Sequence, residues 1–487
     1  MIHSPARCLL AAALLPCALA MAQDNAEVPL NVVTEEARHV ILIIGDGMDE
    51  QQITIARNYL KGANGRLQMD NLPLRAAVQV LTIENRKDGK PVYVADSANT
   101  ATSMATGVVT SRGRISTRAG SSRAGSSRAG SSRAGRDESL KTIVELAAAA
   151  GLRSGIVSTA NVTDATPAAF AAHINFRLCE NPQTMVDVNY RGITLGDCSQ
   201  HLKARGGKGS IAEQLADSTL HVILGGGRKH FAPQAEGESV SVSALAQRNG
   251  FQLVENTREL EAATAGKPLL GLFSKGTMPV RLQGENGREA EAPEPSLLNH
   301  LHDYLGDVEL PAPMRCEPNP SHAGVPSLKQ MTEVALQHLS HNNNSGFFLM
   351  VESASIDKKS HERRPCGSIG EVAQLEEALD SALAFAEMHP RTLVMVTADH
   401  SQAAQLIPYE SLFAAYPIPT YTPGMLARIV TPEGSHMAIN YATTNFTMEE
   451  HTGAAVPLFS NSEGMGRIPA FIQQPQVFDI SRDYLGL

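Results

Sequence analysis

The sequence predicts an α/β fold with a mainly parallel central sheet and helices on both faces. Short apolar runs, about the length of buried strands, alternate with longer segments of helical period. Several of these runs end on an acidic residue or a histidine. Strand–helix alternation builds parallel sheets covered on both faces, and such sheets bind ligands beyond the carboxyl ends of their strands.

The expected strands are Val40–Ile44, Gly155–Thr159, His221–Leu224, Phe347–Val351 and Leu393–Thr397. The expected helices are Ser139–Ala150, Ile211–Ala216, Leu328–Ser340 and Ile369–Met388. Ser210-x-x-Glu213 and Ser368-x-x-Glu371 read as capping boxes opening two of them. Residues 231–310 are richer in Pro, Glu and Gly and lack strong periodicity, so they read as an elaboration of the same domain. Residues 401–450 read as a second insertion.

The chain has 487 residues, 43% of them hydrophobic, enough for a sizeable core. Its formal charge of −9 gives no nucleic-acid footprint, although an acidic protein can still bind phosphate through metal ions. Residues 1–22 read as a secretory signal: Arg7 is followed by an apolar run from Leu9 to Leu15 and small-x-small cleavage candidates at Ala18-Leu19-Ala20 and Ala20-Met21-Ala22. A lipoprotein anchor at Cys17 fits poorly because Pro16 precedes it. The expected location is therefore the periplasm or the medium, with residues 23–487 forming one catalytic domain and no membrane span. Four cysteines remain after export, Cys179, Cys198, Cys316 and Cys366. An even number in an oxidising compartment implies two disulfides, with three possible pairings. No CxxC spacing supports a structural zinc.

From Arg118 the sequence Arg-Ala-Gly-Ser-Ser repeats with period five through Arg133. This composition cannot pack a core, and residues 118–136 read as a disordered surface loop rather than a polyanion-binding arm.

The chemistry lies in Gly45-Asp46-Gly47-Met48, Asp96-Ser97-Ala98, Asp164-Ala165-Thr166-Pro167, Glu352 with Asp357 and His361, Thr397-Ala398-Asp399-His400, and His451-Thr452-Gly453. A serine at the mouth of a small-residue helix, with carboxylates and histidines at strand ends, describes a metal-activated serine nucleophile. Taken singly, each residue has an ordinary reading: Ser97 as a helix cap, a strand-end Asp as a turn former, Arg177 as a surface cation. The set together overturns those readings, whereas His173, His221 and His230 lack such company and read as structural.

These motifs, in this order from about Val40 to the C-terminus, resemble the alkaline phosphatase family, and most closely its bacterial periplasmic type. The resemblance implies two zinc ions and one magnesium ion per chain. Asp357, His361 and His451 would hold the first zinc, and the spacing of Asp357 and His361 lets one helical turn present both. Asp46, Asp399 and His400 would hold the second zinc, which also binds Ser97. Asp46, Thr166 and Glu352 would hold magnesium, which prefers oxygen ligands. Arg177 aligns with the family's phosphate-clamping arginine, suited by its planar fork. Asp164 and Lys358 match the pair that tunes the magnesium side, and Asp96 stands beside the nucleophile. The expected reaction is hydrolysis of small-molecule phosphate monoesters through a phosphoserine on Ser97 at alkaline pH, by a homodimer. A phosphodiesterase or sulfatase of the same superfamily and a catalytically dead phosphate scavenger are the rivals. The expected disulfides are Cys179–Cys198 and Cys316–Cys366. Three residues depart from the family pattern: Asp49 and Ser353, where Gly is usual, and Asn99, where a smaller residue is usual.

Overall fold

The computed structural model describes residues 37–120, 137–190, 193–302, 304–410 and 423–487. The expected signal segment 1–22 and repeat residues 121–136 lie outside them. A ten-stranded sheet organises the described residues. Its strands are β1 (Arg38–Gly45), β2 (Leu74–Gln79), β3 (Arg153–Asn161), β4 (Val222–Gly226), β5 (Gln252–Val254), β6 (Leu269–Leu272), β7 (Gly346–Ser353), β8 (Thr392–Ala398), β9 (Val456–Ser460) and β10 (Phe471–Gln473). Their spatial order is β5-β6-β4-β3-β7-β1-β8-β9-β2-β10. All neighbours run parallel except at β9, which is antiparallel to both β8 and β2.

The five strands expected from sequence are the five contiguous central ones, β4-β3-β7-β1-β8. Val40 to Ile44 are buried without alternation, and so are Phe347 to Val351. Residues on both faces of a strand can be buried together only if both faces are covered. One helical set, α4 (Leu328–Ser340) and α6 (Pro365–Met388), packs together against the sheet. In a second set, α3 (Ile143–Ala149) and α7 (Pro475–Leu485) pack against it, and α2 (Ser97–Thr106) packs on those two helices. The helix α1 (Glu50–Lys61) leans on α6, and the short α5 (Ser355–His361) leads into it.

Several boundaries differ from expectation. The helix read as Ser139–Ala150 begins only at Ile143, because Thr142 and Glu145 form a capping box there. Ser139 belongs instead to a short strand: Thr117–Arg118 pairs antiparallel with Glu138–Ser139. Arg118, read as the start of the disordered loop, is thus part of its paired base. The Ser210–Glu213 capping box is present. The Ser368–Glu371 box is not: α6 starts at Pro365, a residue well suited to a first turn, and Ser368, already inside that helix, donates from Oγ to Ile356 O of α5. The segment 231–310 supplies β5 and β6, which short length and interrupting Gly concealed. The segment 401–450 contributes Gln405–Ile407, Met425–Val430 and His436–Tyr441, a separate three-stranded antiparallel sheet. The structure forms the disulfides Cys179–Cys198 and Cys316–Cys366. Among the described residues no helix is long and apolar enough to cross a membrane.

Candidate active site

Register places the site. Gly45 pairs with Ser353 on one side and Ala398 on the other, so three parallel strands end level. Asp46, Glu352 and Asp399 are therefore delivered to one rim, and each is buried. Glu352 also pairs with Ser158 of β3, whose continuation carries Asp164 and Thr166. Asp46 and Asp399 are tied together by the turn between them: Gly47 N donates to Asp399 Oδ1 at 3.0 Å. Gly47 has φ +68, and an added Cβ would meet Gln402 Cγ at 2.8 Å, so only glycine fits there.

Ser97 opens α2, and Asp96 caps that helix by accepting from Asn99 N at 3.2 Å. Asn99 completes a capping box by accepting from Asp96 N at 2.9 Å, and it donates to Leu81 O. This accounts for Asn99 in place of a smaller residue. The cap directs Ser97 Oγ to 3.1 Å from His400 Nε2 and 3.4 Å from Asp46 Oδ1. Thr100, one turn along, donates to Asp399 Oδ2 at 3.3 Å.

Arg177 lies on the other side of Asp96. Its Nη1 is 3.3 Å from Asp96 Oδ2 and its Nη2 is 2.9 Å from Asp164 Oδ1. Lys358 Nζ holds the second oxygen of Asp164 at 2.6 Å. Burial pushes the Asp164 carboxyl up, but the two cations hold it well below the usual carboxylate range. Arg177 stays charged throughout: burial opposes the charge, and Asp164 and Asp96 outweigh it.

The rim is crowded with acceptors. His451 Nδ1 lies 2.8 Å from Ala95 O, and His361 Nδ1 faces Glu449 O. A carbonyl can only accept, so each ring donates from Nδ1 and turns Nε2 inward. These two Nε2 atoms are 3.0 Å apart, and each is 3.3 Å from Asp357 Oδ1. Burial lowers His451, yet Asp357 prevails and its pKa is raised to about 9. This point of the site therefore stabilises positive charge. Burial drives His400 down to about 4, so it is neutral, with Nε2 3.4 Å from Asp46 Oδ1 and 3.3 Å from Asp399 Oδ2. Burial, followed by the charges of Asp399, Asp357 and Glu352, raises Asp46 well above the carboxylate range. Burial likewise pushes Glu352 up to about 8. Thr166 Oγ1 is buried beside the Glu352 carboxyl, with no hydrogen bond of good geometry. Converging imidazole nitrogens, clustered carboxylates and a buried threonine hydroxyl are the donor set of cation sites. Two trios, Asp357–His400–His451 and Asp46–Asp399–His400, each bring their ligand atoms within 4.8 Å of one another.

All the residues expected at the site thus meet at one rim. His173, His221 and His230 lie elsewhere. His173 bridges Glu145 and Ser116 O, and His230 bridges Glu180 and Asn181. Ser353, the second departure, donates to Glu371 O at 2.9 Å and lies 3.1 Å from its carboxylate, which Thr159 also meets. The sequence reading missed Ser158, Thr100 and Gln402. Ser158 donates to Glu352. Thr100 was legible as one helical turn from Ser97, whereas Ser158 and Gln402 carry no spacing signal.

A serine hydroxyl among cation-binding groups, with an arginine fork alongside at the carboxyl edge of a parallel sheet, defines a phosphoryl-transfer hydrolase. The comparisons narrow that class. The pattern of the alkaline phosphatase family matches residues 37–468. The alkaline phosphatase of Escherichia coli is 38% identical over 459 residues, covering 93% of this chain and 86% of that protein. Alkaline phosphatase H of Pseudomonas aeruginosa is 36% identical over 461 residues, with the same coverages. The streptomycin-6-phosphate phosphatase of Streptomyces griseus is 37% identical over 465 residues, covering 93% and 91%. The fold matches the Thermus thermophilus alkaline phosphatase with a TM-score of 0.62 at 21% identity, covering 93% of this chain and 92% of that one. The chain belongs to the alkaline phosphatase family, enzymes that hydrolyse phosphate monoesters.

Proposed function

We propose that the chain hydrolyses small-molecule phosphate monoesters through a covalent phosphoserine on Ser97. The observation that carries this is the position of Ser97 Oγ, at a helix N-terminus, 3.1 Å from neutral His400 and on the same rim as a charged arginine fork. The residues fit three cations. Asp357, His361 and His451 would hold one zinc, Asp46, Asp399 and His400 a second beside Ser97, and Asp46, Thr166 and Glu352 a magnesium. Such ions supply Lewis-acid stabilisation of the charges on the nucleophilic and leaving oxygens and make hydroxide available near neutral pH.

The chain's own residues do the rest. Ser97 Oγ attacks phosphorus in line, its bond to phosphorus forming as the ester bond breaks and the alcohol departs. Arg177 donates from two nitrogens to two non-bridging oxygens, an arrangement that a monoester satisfies better than a diester. Asp96 and Asp164 hold the guanidinium in that attitude, and Lys358 holds Asp164. The N-terminus of α2 favours the anion. Water then attacks the phosphoserine, restoring Ser97 and releasing inorganic phosphate. The metal requirement, an alkaline optimum, export under the signal segment 1–22, a single catalytic domain over 23–487 and a homodimer belong to the same reading. The family resemblance supports them, and the two disulfides agree with an oxidising compartment.

The test is turnover of a chromogenic phosphomonoester and of the matching diester by wild type and Ser97→Ala. The reading requires fast monoester turnover, much slower diester turnover, and loss of monoester turnover in Ser97→Ala with the fold retained. Retained turnover in Ser97→Ala removes Ser97 from the nucleophile's role. Diester preference transfers the enzyme to the diesterase branch.

A further inference from the structure

Asp49 and Gln402 are not used by the reaction described above, yet they are buried against it. Asp49 Oδ1 caps α1 by accepting from Gln51 N and Gln52 N, each at 3.0 Å. Its other oxygen is free to act elsewhere, and it accepts from Gln402 N at 3.1 Å. Gln402 follows Asp399 and His400 where β8 turns away from the sheet. Its side chain lies against Gly47, and its Nε2 donates to Asp357 Oδ1 at 2.5 Å. The amide cannot be reversed, because its Oε1 accepts from Ala403 N at 2.7 Å. Gln402 O accepts from Thr452 Oγ1 at 3.3 Å, one residue beyond His451. The oxygen that Gln402 grips is the one that stands 3.3 Å from both His361 Nε2 and His451 Nε2.

We infer that Gln402 is a positioning residue: its amide, set from below by Asp49, holds the Asp357 carboxylate against the His361–His451 pair and sets how firmly that trio retains a divalent cation. The inference rests on reading the trio as a zinc site. A neutral donor suits the task, because it removes the rotational freedom of the carboxylate without cancelling its charge. The outer partners of metal ligands typically change affinity by about 10–100-fold when removed. Asp49, a departure from the family pattern, thereby has two assignments, one per carboxylate oxygen: a helix cap and an anchor for Gln402.

The experiment measures zinc release from the holoenzyme to a colorimetric chelator, alongside denaturant unfolding of the zinc-free protein. The variants are Gln402→Met, which keeps length and loses the donor, Asp49→Asn, which keeps the capping oxygen and loses the acceptor for Gln402 N, and their combination. Gln402→Met should release zinc about tenfold faster or more, Asp49→Asn several-fold faster, and the combination no more than about twofold faster than Gln402→Met. The unfolding midpoint of zinc-free Gln402→Met should match wild type. Zinc release from Gln402→Met within twofold of wild type overturns the inference. So does a zinc-free protein destabilised as much as the zinc-loaded one, which would make Gln402 an ordinary packing residue. Fully additive effects in the combination would show Asp49 acting apart from Gln402 and overturn the relay. Wild type that binds no zinc would overturn the metal reading itself.

Discussion

Arg177 is held by opposing forces. Two carboxylates fix its fork, and Asp164 is itself shared with Lys358 at 2.6 Å. Arg177→Ala leaves Asp164 with Lys358 and the Ala165 N–H, and removes the two charge-assisted bonds proposed to the phosphoryl oxygens. At roughly 1.5–3 kcal/mol per bond to a charged group, kcat/KM for a monoester should fall by at least tenfold and, if the two add, by about a hundredfold or more, with inorganic phosphate a correspondingly weaker inhibitor. Steady-state kinetics with phosphate competition check this. Glu376 provides a test away from the site. It is buried, and it accepts from Gln68 N and from Met69 N at 3.3 Å. Burial wins over those bonds and raises its pKa to about 7. An acid with a raised folded pKa binds more protons folded than unfolded. Its contribution is therefore full below its ordinary value near 4.5 and is lost as pH rises through about 7. Between those limits wild type should lose up to about 3 kcal/mol more stability than Glu376→Gln, as measured by denaturant unfolding across pH. Parallel curves for the two proteins would contradict the assignment.

The repeat shows what an element can tolerate. Thr117–Arg118 and Glu138–Ser139 are paired, and Gly120 N donates to Asp137 Oδ1 at 3.2 Å, so both ends of the inserted segment are held together at the base. Loop closure costs only about (3/2)RT ln n, so sixteen extra residues burden the fold little. Replacing residues 121–136 with Asn-Gly, a pair suited to a tight hairpin, should leave monoester turnover within about twofold. A tenfold loss, roughly 1.4 kcal/mol in the barrier, would mean that the segment helps build the site. The expected helix at Ser139 failed for a related reason. Apolar period alone extends a helix to its limit, but the Thr142–Glu145 box and the strand partner of Ser139 fix its start.

Across the whole molecule, two disulfides tie distant segments together, and the cations proposed above would join the strand ends at the rim. Removing metal from the holoenzyme by chelation should abolish turnover, and zinc with magnesium should restore it. Elemental analysis finding fewer than about two zinc per chain at full activity would contradict the ligand assignment. The Cys316–Cys366 bond spans 50 residues and ties the strand Cys316–Pro318 to the first turn of α6. In the chain-entropy model it contributes about 4 kcal/mol, and the 19-residue Cys179–Cys198 link about 3 kcal/mol. Replacing both Cys316 and Cys366 by Ser should lower unfolding stability by that order while sparing kcat, because neither sulfur touches the rim.

The central sheet was legible because β4, β7, β1 and β8 carry short uninterrupted apolar runs, the pattern of strands buried on both faces, and β3 sets Ile156-Val157 among small residues that are buried with them. The flanking strands were not. β2 is only half-buried, and β5 and β10 have three residues each, too few to show a period. The residues of the candidate site were readable for the same reason that the strands were: Asp46, Glu352 and Asp399 end apolar runs, and Ser97 opens a helix. What the sequence could not contain is the level at which those runs end. Register aligns Gly45 with Ser353 and Ala398 and so converts three separate strand ends into one rim. Contacts such as Gln402 to Asp357 and Arg177 to Asp96, made across 45 and 81 residues, exist only after that alignment. Local chemistry along the chain chose the residue types; the packed sheet chose which of them meet.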